Sequence, residues 1–163
     1  MGTSGLFGFY YKGKYYWMYN HWDSYVDGLG INLMTEIVEA LEDRTFDTWY
    51  QMFDNLIIIN YDDKPTIEQI EKFSSFTNST IDSKSINDWH CLLNKCEGSF
   101  LKVLQSGFIV NNDNEDPYND PRMYPYTYCL NMDNRTFIYN QEIAFELNTL
   151  SSIIKTTKKM SIK

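Results

Sequence analysis

The densest run of side chains able to do chemistry is Tyr19-Asn20-His21-Trp22-Asp23-Ser24-Tyr25, which is followed closely by Gly28-Leu29-Gly30. Histidine titrates near neutrality, and a carboxylate or hydroxyl a few residues away can orient it or be activated by it. His21 with Ser24 is therefore the candidate pair for a Ser/His hydrolase, and either Asp23 or Ser24 is placed to orient the imidazole or to be activated by it. Where a strand crosses into a helix, the backbone amides of the turn can also face outward and hold an anion or an oxyanion. The same residue types make turns, caps and tight packing without any chemistry, which is the plainer reading of Asn20, Asp23, Ser24, Gly28 and Gly30. A second candidate nucleophile is Thr3. A Gly-Thr junction ahead of a strand resembles the processing site of N-terminal nucleophile hydrolases, whose freed threonine uses its own amine as base. Removal of the initiator methionine exposes Gly2 instead, so an ordinary strand-start role for Thr3 is preferred.

Other constellations are incomplete. His90, Cys91 and Cys96 lack the second pair of ligands that a structural zinc site needs. Asn112, Asn114 and Asp116 alternate as calcium ligands do, but the glycine and the bidentate glutamate of that loop are missing. Neither a metal nor a cofactor is called for. Of the tryptophans, Trp49 and Trp89 have core neighbours at helical spacing, leaving Trp22 as the ring expected at the surface. An exposed ring can stack on a nucleotide or an mRNA cap, and it equally suits a protein interface.

The elements that must position these residues can be read from periodicity. Aromatic runs 6–11 and 15–20 flank Lys12-Gly13 and predict an N-terminal β-hairpin. Leu33, Met34, Ile37, Val38 and Leu41 predict an amphipathic helix with Glu36, Glu39 and Glu42 on its outer side. Phe46, Trp49, Tyr50 and Phe53 predict a second, short helix, and the run 56–61 is either a buried strand or the tail of that helix. Thr66 with Gln69 resembles a capping box ahead of Ile67, Ile70 and Phe73. A helix beginning at Ser85 is expected to be interrupted by Gly98 and to resume through Phe100, Leu101 and Leu104 to a C-cap at Gly107. Residues 111–117 read as a loop. Stretches 124–130 and 135–140 predict a second hairpin, with Tyr124, Tyr126 and Tyr128 on one face. Two hairpins enclosing helices predict an α+β fold: a small antiparallel sheet from the N- and C-terminal hairpins, packed against several helices. Residues 1–163 fit a single domain, with 151–163 expected to be a flexible tail.

Composition narrows the function classes. With 14 Lys and Arg against 22 Asp and Glu the net charge is −8, which disfavours a protein that grips nucleic acid through its phosphates. Hydrophobic residues at 43% and aromatics at 17% exclude a disordered chain. No apolar run is long enough to span a membrane. Three cysteines, an odd number with no signal peptide ahead of them, point to reduced thiols in the cytoplasm.

The opening Met1-Gly2-Thr3, Gly5, the elbow block 19–25 and Gly28-Leu29-Gly30 resemble an uncharacterised family of giant viruses, phages, fungi and bacteria. Its members begin Met-Gly-Thr-Arg-Gly and carry Tyr-Asn-His-aromatic-Asp-Ser-Tyr-Pro before Gly-Leu-Gly. Residues 89–93, Glu97-Gly98 and the late hairpin are similar to the family's later blocks, with weak cover between Asp43 and Ser85. Here Ser4 stands where the family has Arg, and Val26 where it has Pro. If that Arg holds an anion, this chain has lost a charge-assisted contact. The resemblance implies a viral source, hence a host cytoplasm or virion location, and carries no established activity. The expected function is a viral-type binding protein recognising a protein or a small ligand through the elbow 19–30, with no membrane partner. A hydrolase using Thr3, or Ser24 with His21, and an aromatic box for a nucleotide or mRNA cap are the alternatives.

Overall fold

The chain is described here from a computed structural model covering residues 3–60, 63–72, 96–111 and 121–161. Strands β1 (Gly5–Tyr11) and β2 (Lys14–Asn20) form the N-terminal hairpin. Lys12 and Gly13 both take positive φ, 52° and 79°, the geometry that matches the twist of a two-residue hairpin. A five-residue π-helical turn, Val26–Gly30, leads into α1 (Ile31–Glu42), and α2 (Thr48–Asp54) follows. Next come β3 (Ile57–Asn60), α3 (Ile67–Lys72), α4 (Phe100–Ser106) and β4 (Phe108–Asn111). The chain closes with β5 (Thr127–Asn131), β6 (Thr136–Tyr139), β7 (Ile143–Glu146) and α5 (Leu150–Ser161).

The fold is α+β. Its main sheet has the order β2-β1-β5-β6-β7, and β3 pairs with β4 in a separate parallel ribbon. Both expected hairpins are present, but they join through a parallel β1–β5 pairing that aligns Leu6 with Thr127 and Tyr10 with Asn131. The sheet is therefore mixed and not wholly antiparallel. The helices between β1 and β5 supply the long crossover that a parallel pair requires. The two hairpin turns are also tied together, since the Lys12 and Gly13 amides donate to the Asp133 carboxylate at 2.8 and 3.0 Å.

Alternation along β1 gives the sheet two faces. Phe7 and Phe9, with Tyr128, Leu130 and Phe137, meet Leu33 and Ile37 of α1, Trp49 and Phe53 of α2 and Phe100 of α4. Leu6, Trp17 and Cys129 form a smaller cluster on the opposite face with Tyr10, Tyr19, Tyr124 and Ile138 around them. Of the three late tyrosines expected to share a strand face, only Tyr128 lies in a strand, and it is fully buried.

Residues 151–161, expected to be a flexible tail, form α5 instead. Leu150 and Ile154 are buried and Ile153 packs on the core, so an i, i+3, i+4 stripe holds the helix while its lysines stay in water. The Thr66–Gln69 capping box forms as expected, with each side chain accepting from the other's amide. The expected helix from Ser85, together with Trp89, His90 and Cys91, and residues 112–117 of the expected loop lie outside the described residues. Asn111, read as the start of that loop, ends β4.

Candidate functional site

The elbow begins where β2 ends. Asn20 is buried at the last position of the strand, and its side-chain amide donates to the Trp22 carbonyl at 2.7 Å and to Ser24 Oγ at 2.8 Å. Ser24 is 0% exposed, its amide donates to the Thr3 carbonyl at 3.0 Å, and its carbonyl accepts from the Tyr128 hydroxyl at 2.8 Å. Burial pushes the Tyr128 phenol well above its ordinary pKa, which keeps it a donor to that carbonyl. A β-carbon on Gly5 would sit 2.6 Å from the Tyr126 carbonyl and 2.8 Å from Ser24 Cβ, so only glycine lets β1 pass this close.

The turn that follows is closed on itself. The amides of Gly28 and Gly30 donate to the Tyr25 carbonyl, and that of Leu29 to the Asp23 carbonyl, at 3.0 to 3.2 Å. A β-carbon on Gly28 would collide with the Asp23 carbonyl at 2.5 Å, and one on Gly30 would press on the Tyr128 ring at 3.0 Å. The amides of Gly28, Leu29 and Gly30 are therefore spent inside the turn and do not face outward to an anion or oxyanion. Asp23 itself takes a φ of +54°, a conformation aspartate tolerates better than most residues.

The Ser24 and His21 side chains have separate partners. Ser24 Oγ is held by the Asn20 side chain and backbone, whereas His21 Nδ1 hydrogen-bonds the Tyr19 hydroxyl at 2.8 Å. A buried serine engaged in this way is a structural bracket, and no Ser24–His21 hydrogen bond forms. Thr3 reaches the elbow through its backbone carbonyl.

His21 and Asp23 face water, and so do two large rings. Trp22 is 53% exposed and Tyr25 42% exposed. Trp22 is braced edge-on by His21, with ring centroids 4.4 Å apart, and Tyr25 by Tyr126 at 5.8 Å. The expectation that Trp22 is the surface tryptophan agrees with the buried positions of Trp17 and Trp49.

A support absent from the sequence reading is the segment Glu97-Gly98-Ser99. The Glu97 carboxylate accepts the His21 backbone N–H, and Gly98 lies directly against Asn20 Oδ1. Burial raises the Glu97 pKa, and the His21 amide and imidazole draw it back down. One residue on, Ser99 caps α4 by accepting from the Lys102 amide, while the Glu36 carboxylate of α1 accepts from both Ser99 Oγ and the Phe100 amide. Glu36 therefore turns inward, not to the outer side of α1 where its spacing placed it. The local signal that marks the cap is Ser99 ahead of an apolar run, whereas no local signal marks the role of Glu97.

Among the described residues no group of three His, Cys, Asp or Glu side chains is placed to hold a metal, and no helix is long and apolar enough to cross a membrane. Cys96 and Cys129 are free and buried, and burial pushes the Cys96 thiol up to about 11. Such thiols are poor nucleophiles at neutral pH. Comparison with protein-family models, with curated proteins and with solved structures finds no match.

Proposed function

We propose that the protein is a recognition module whose elbow, residues 19–30, binds a protein partner or a small ligand. The observation that carries this reading is the contrast within seven residues: Asn20 and Ser24 are buried and hydrogen-bonded, while Trp22 between them is 53% exposed. The exposed half of the ring gains nothing for the fold. On a backbone already fixed by hydrogen bonds, it binds with little ordering cost, as the central aromatic residues of interfaces do. A hydrolytic role is less well supported, because Ser24 is buried and hydrogen-bonded to Asn20 and the Gly28, Leu29 and Gly30 amides are taken. The site is proposed to act in the cytoplasm, where its thiols stay reduced.

The test is affinity capture from the organism's own cells with the wild-type chain and with Trp22→Ala combined with Asp23→Ala. Loss of a wild-type partner by the variant, with its circular dichroism and thermal midpoint unchanged, supports the reading. An unchanged set of partners overturns it.

A further inference from the structure

The segment that carries the two exposed rings has charge of one sign. From Tyr15 to Asp43 the chain contains no Lys or Arg, while Asp23, Asp27, Glu36, Glu39, Glu42 and Asp43 all fall in this stretch. Asp23 follows Trp22 directly, Asp27 is exposed in the turn after Tyr25, and the Glu97 carboxylate is fixed against the amide of His21, the residue before Trp22. Each exposed ring presents an electron-rich face, and such faces attract guanidinium and ammonium groups. Such pairs occur in this molecule at the hairpin turn, where Lys12 lies 5.2 Å from the Tyr11 ring centroid and Lys14 5.5 Å from that of Tyr16.

We propose that the occupant of the elbow is a basic, Arg- or Lys-bearing segment of a protein partner, with one cationic side chain over the face of Trp22 and its neighbours paired with Asp23 and Glu97. This rests on the elbow being the recognition site and names the chemistry of its partner. The rings supply contact area and the acids supply sign. The anionic field attracts a basic segment and repels an acidic one, so charge selects the partner more than it tightens the contact. A ring–cation contact at an exposed site is worth about a two- to fivefold change in affinity, and a desolvated one about thirtyfold.

The probe is an uncharged-end octapeptide of alternating Gly and Arg, titrated at low ionic strength and followed by the backbone amide resonances of residues 19–25, which the Trp22 variants retain. Saturable binding that weakens with added salt is expected, with no binding of the matching Gly-Glu peptide. Trp22→Phe keeps a π face and should bind within about threefold of wild type, whereas Trp22→Leu keeps apolar area alone and should lose about fivefold or more. Asp23→Asn with Glu97→Gln should flatten the salt dependence while preserving the hydrogen bond to His21. Equal binding by Trp22→Leu, equal binding of the Gly-Glu peptide, or no saturation below millimolar peptide overturns the proposal. So does self-association abolished by Lys155→Glu, Lys158→Glu and Lys159→Glu together, which would make a second copy the occupant. If the peptide fails but Trp22→Ala still loses a captured partner, this inference falls and the recognition reading stands. An unchanged partner set would instead remove the recognition reading itself.

Discussion

Two polar networks, one buried and one half-buried, flank Gly98, and they are built on opposite principles. On the elbow side, Asn20 and Ser24 bury neutral groups whose donors and acceptors satisfy one another. On the helix side, Glu36 places a carboxylate against Ser99 and the Phe100 amide at the start of α4. The neutral bracket carries no desolvated charge. The carboxylate pairs charge-assisted hydrogen bonds with a desolvation cost, visible as a pKa raised above the ordinary range, with burial as its largest cause. The difference separates architecture from presentation. The Glu36 network ends inside the molecule and joins α1 to α4, whereas the Asn20 network ends in exposed rings.

The comparison breaks most severely at Gly5. Its missing side chain leaves room for Ser24 and for the Tyr126 carbonyl, and the colliding atoms include backbone that cannot swing away. Gly5→Val should cost about 3 kcal/mol, read as a lowered urea midpoint at unchanged slope. A loss below 0.5 kcal/mol would mean that the elbow bracket yields easily.

Asn20→Ala comes next. It removes both donors to Trp22 and Ser24, leaving a buried hydroxyl and carbonyl to find new partners, at about 2 kcal/mol. Because the elbow backbone is held by these bonds, amide exchange at residues 22–24 should accelerate more than exchange in α1. Uniform acceleration across the molecule would show that Asn20 holds the global fold and not the elbow. Glu36→Ala, which strips the acceptor from Ser99 and Phe100, should cost about 1–2 kcal/mol and loosen the first turn of α4 while leaving the elbow amides protected.

Much of the architecture was legible because period and turn chemistry are local. The apolar spacing of Leu33, Met34 and Ile37, the Lys12-Gly13 turn and the Thr66–Gln69 box each declare an element within a few residues. The parallel β1–β5 pairing was not legible, since it joins residues more than a hundred positions apart and nothing in either strand specifies its neighbour's direction. Nor was α5: an i, i+3, i+4 stripe of Leu150, Ile153 and Ile154 is short, and its lysines read as a solvated tail until the core beneath it is known. In the elbow, exposure of Trp22 could be anticipated from its polar neighbours. The separation of Ser24 from His21 could not, because sequence adjacency does not say which side chain turns inward. The roles of Glu36 and Glu97 depend on contacts more than sixty residues away, so a helical wheel places Glu36 in water when it belongs to a cap.

The smallest expected effect gives the sharpest contrast between the two networks. The folded pKa of Glu36 is raised by burial, so between the ordinary carboxylate range and that raised value the native state holds more protons than the unfolded chain. Stability contributed by this group is therefore greatest at acid pH and declines as pH rises through that window, levelling off above the folded pKa. Glu36→Gln keeps one oxygen to accept the Phe100 amide and an NH2 able to donate to Ser99 Oγ, while removing the charge that burial penalises. At neutral pH the variant should match or exceed wild type by up to about 1 kcal/mol, and the difference between the two should shrink as the pH is lowered through the window. Urea midpoints at several pH values test this directly. A Glu36→Gln protein that is instead less stable at neutral pH, with a deficit shrinking towards acid, would show that the carboxylate's hydrogen bonds outweigh its desolvation. The two networks would then differ only in strength, each adding stability by satisfying buried donors.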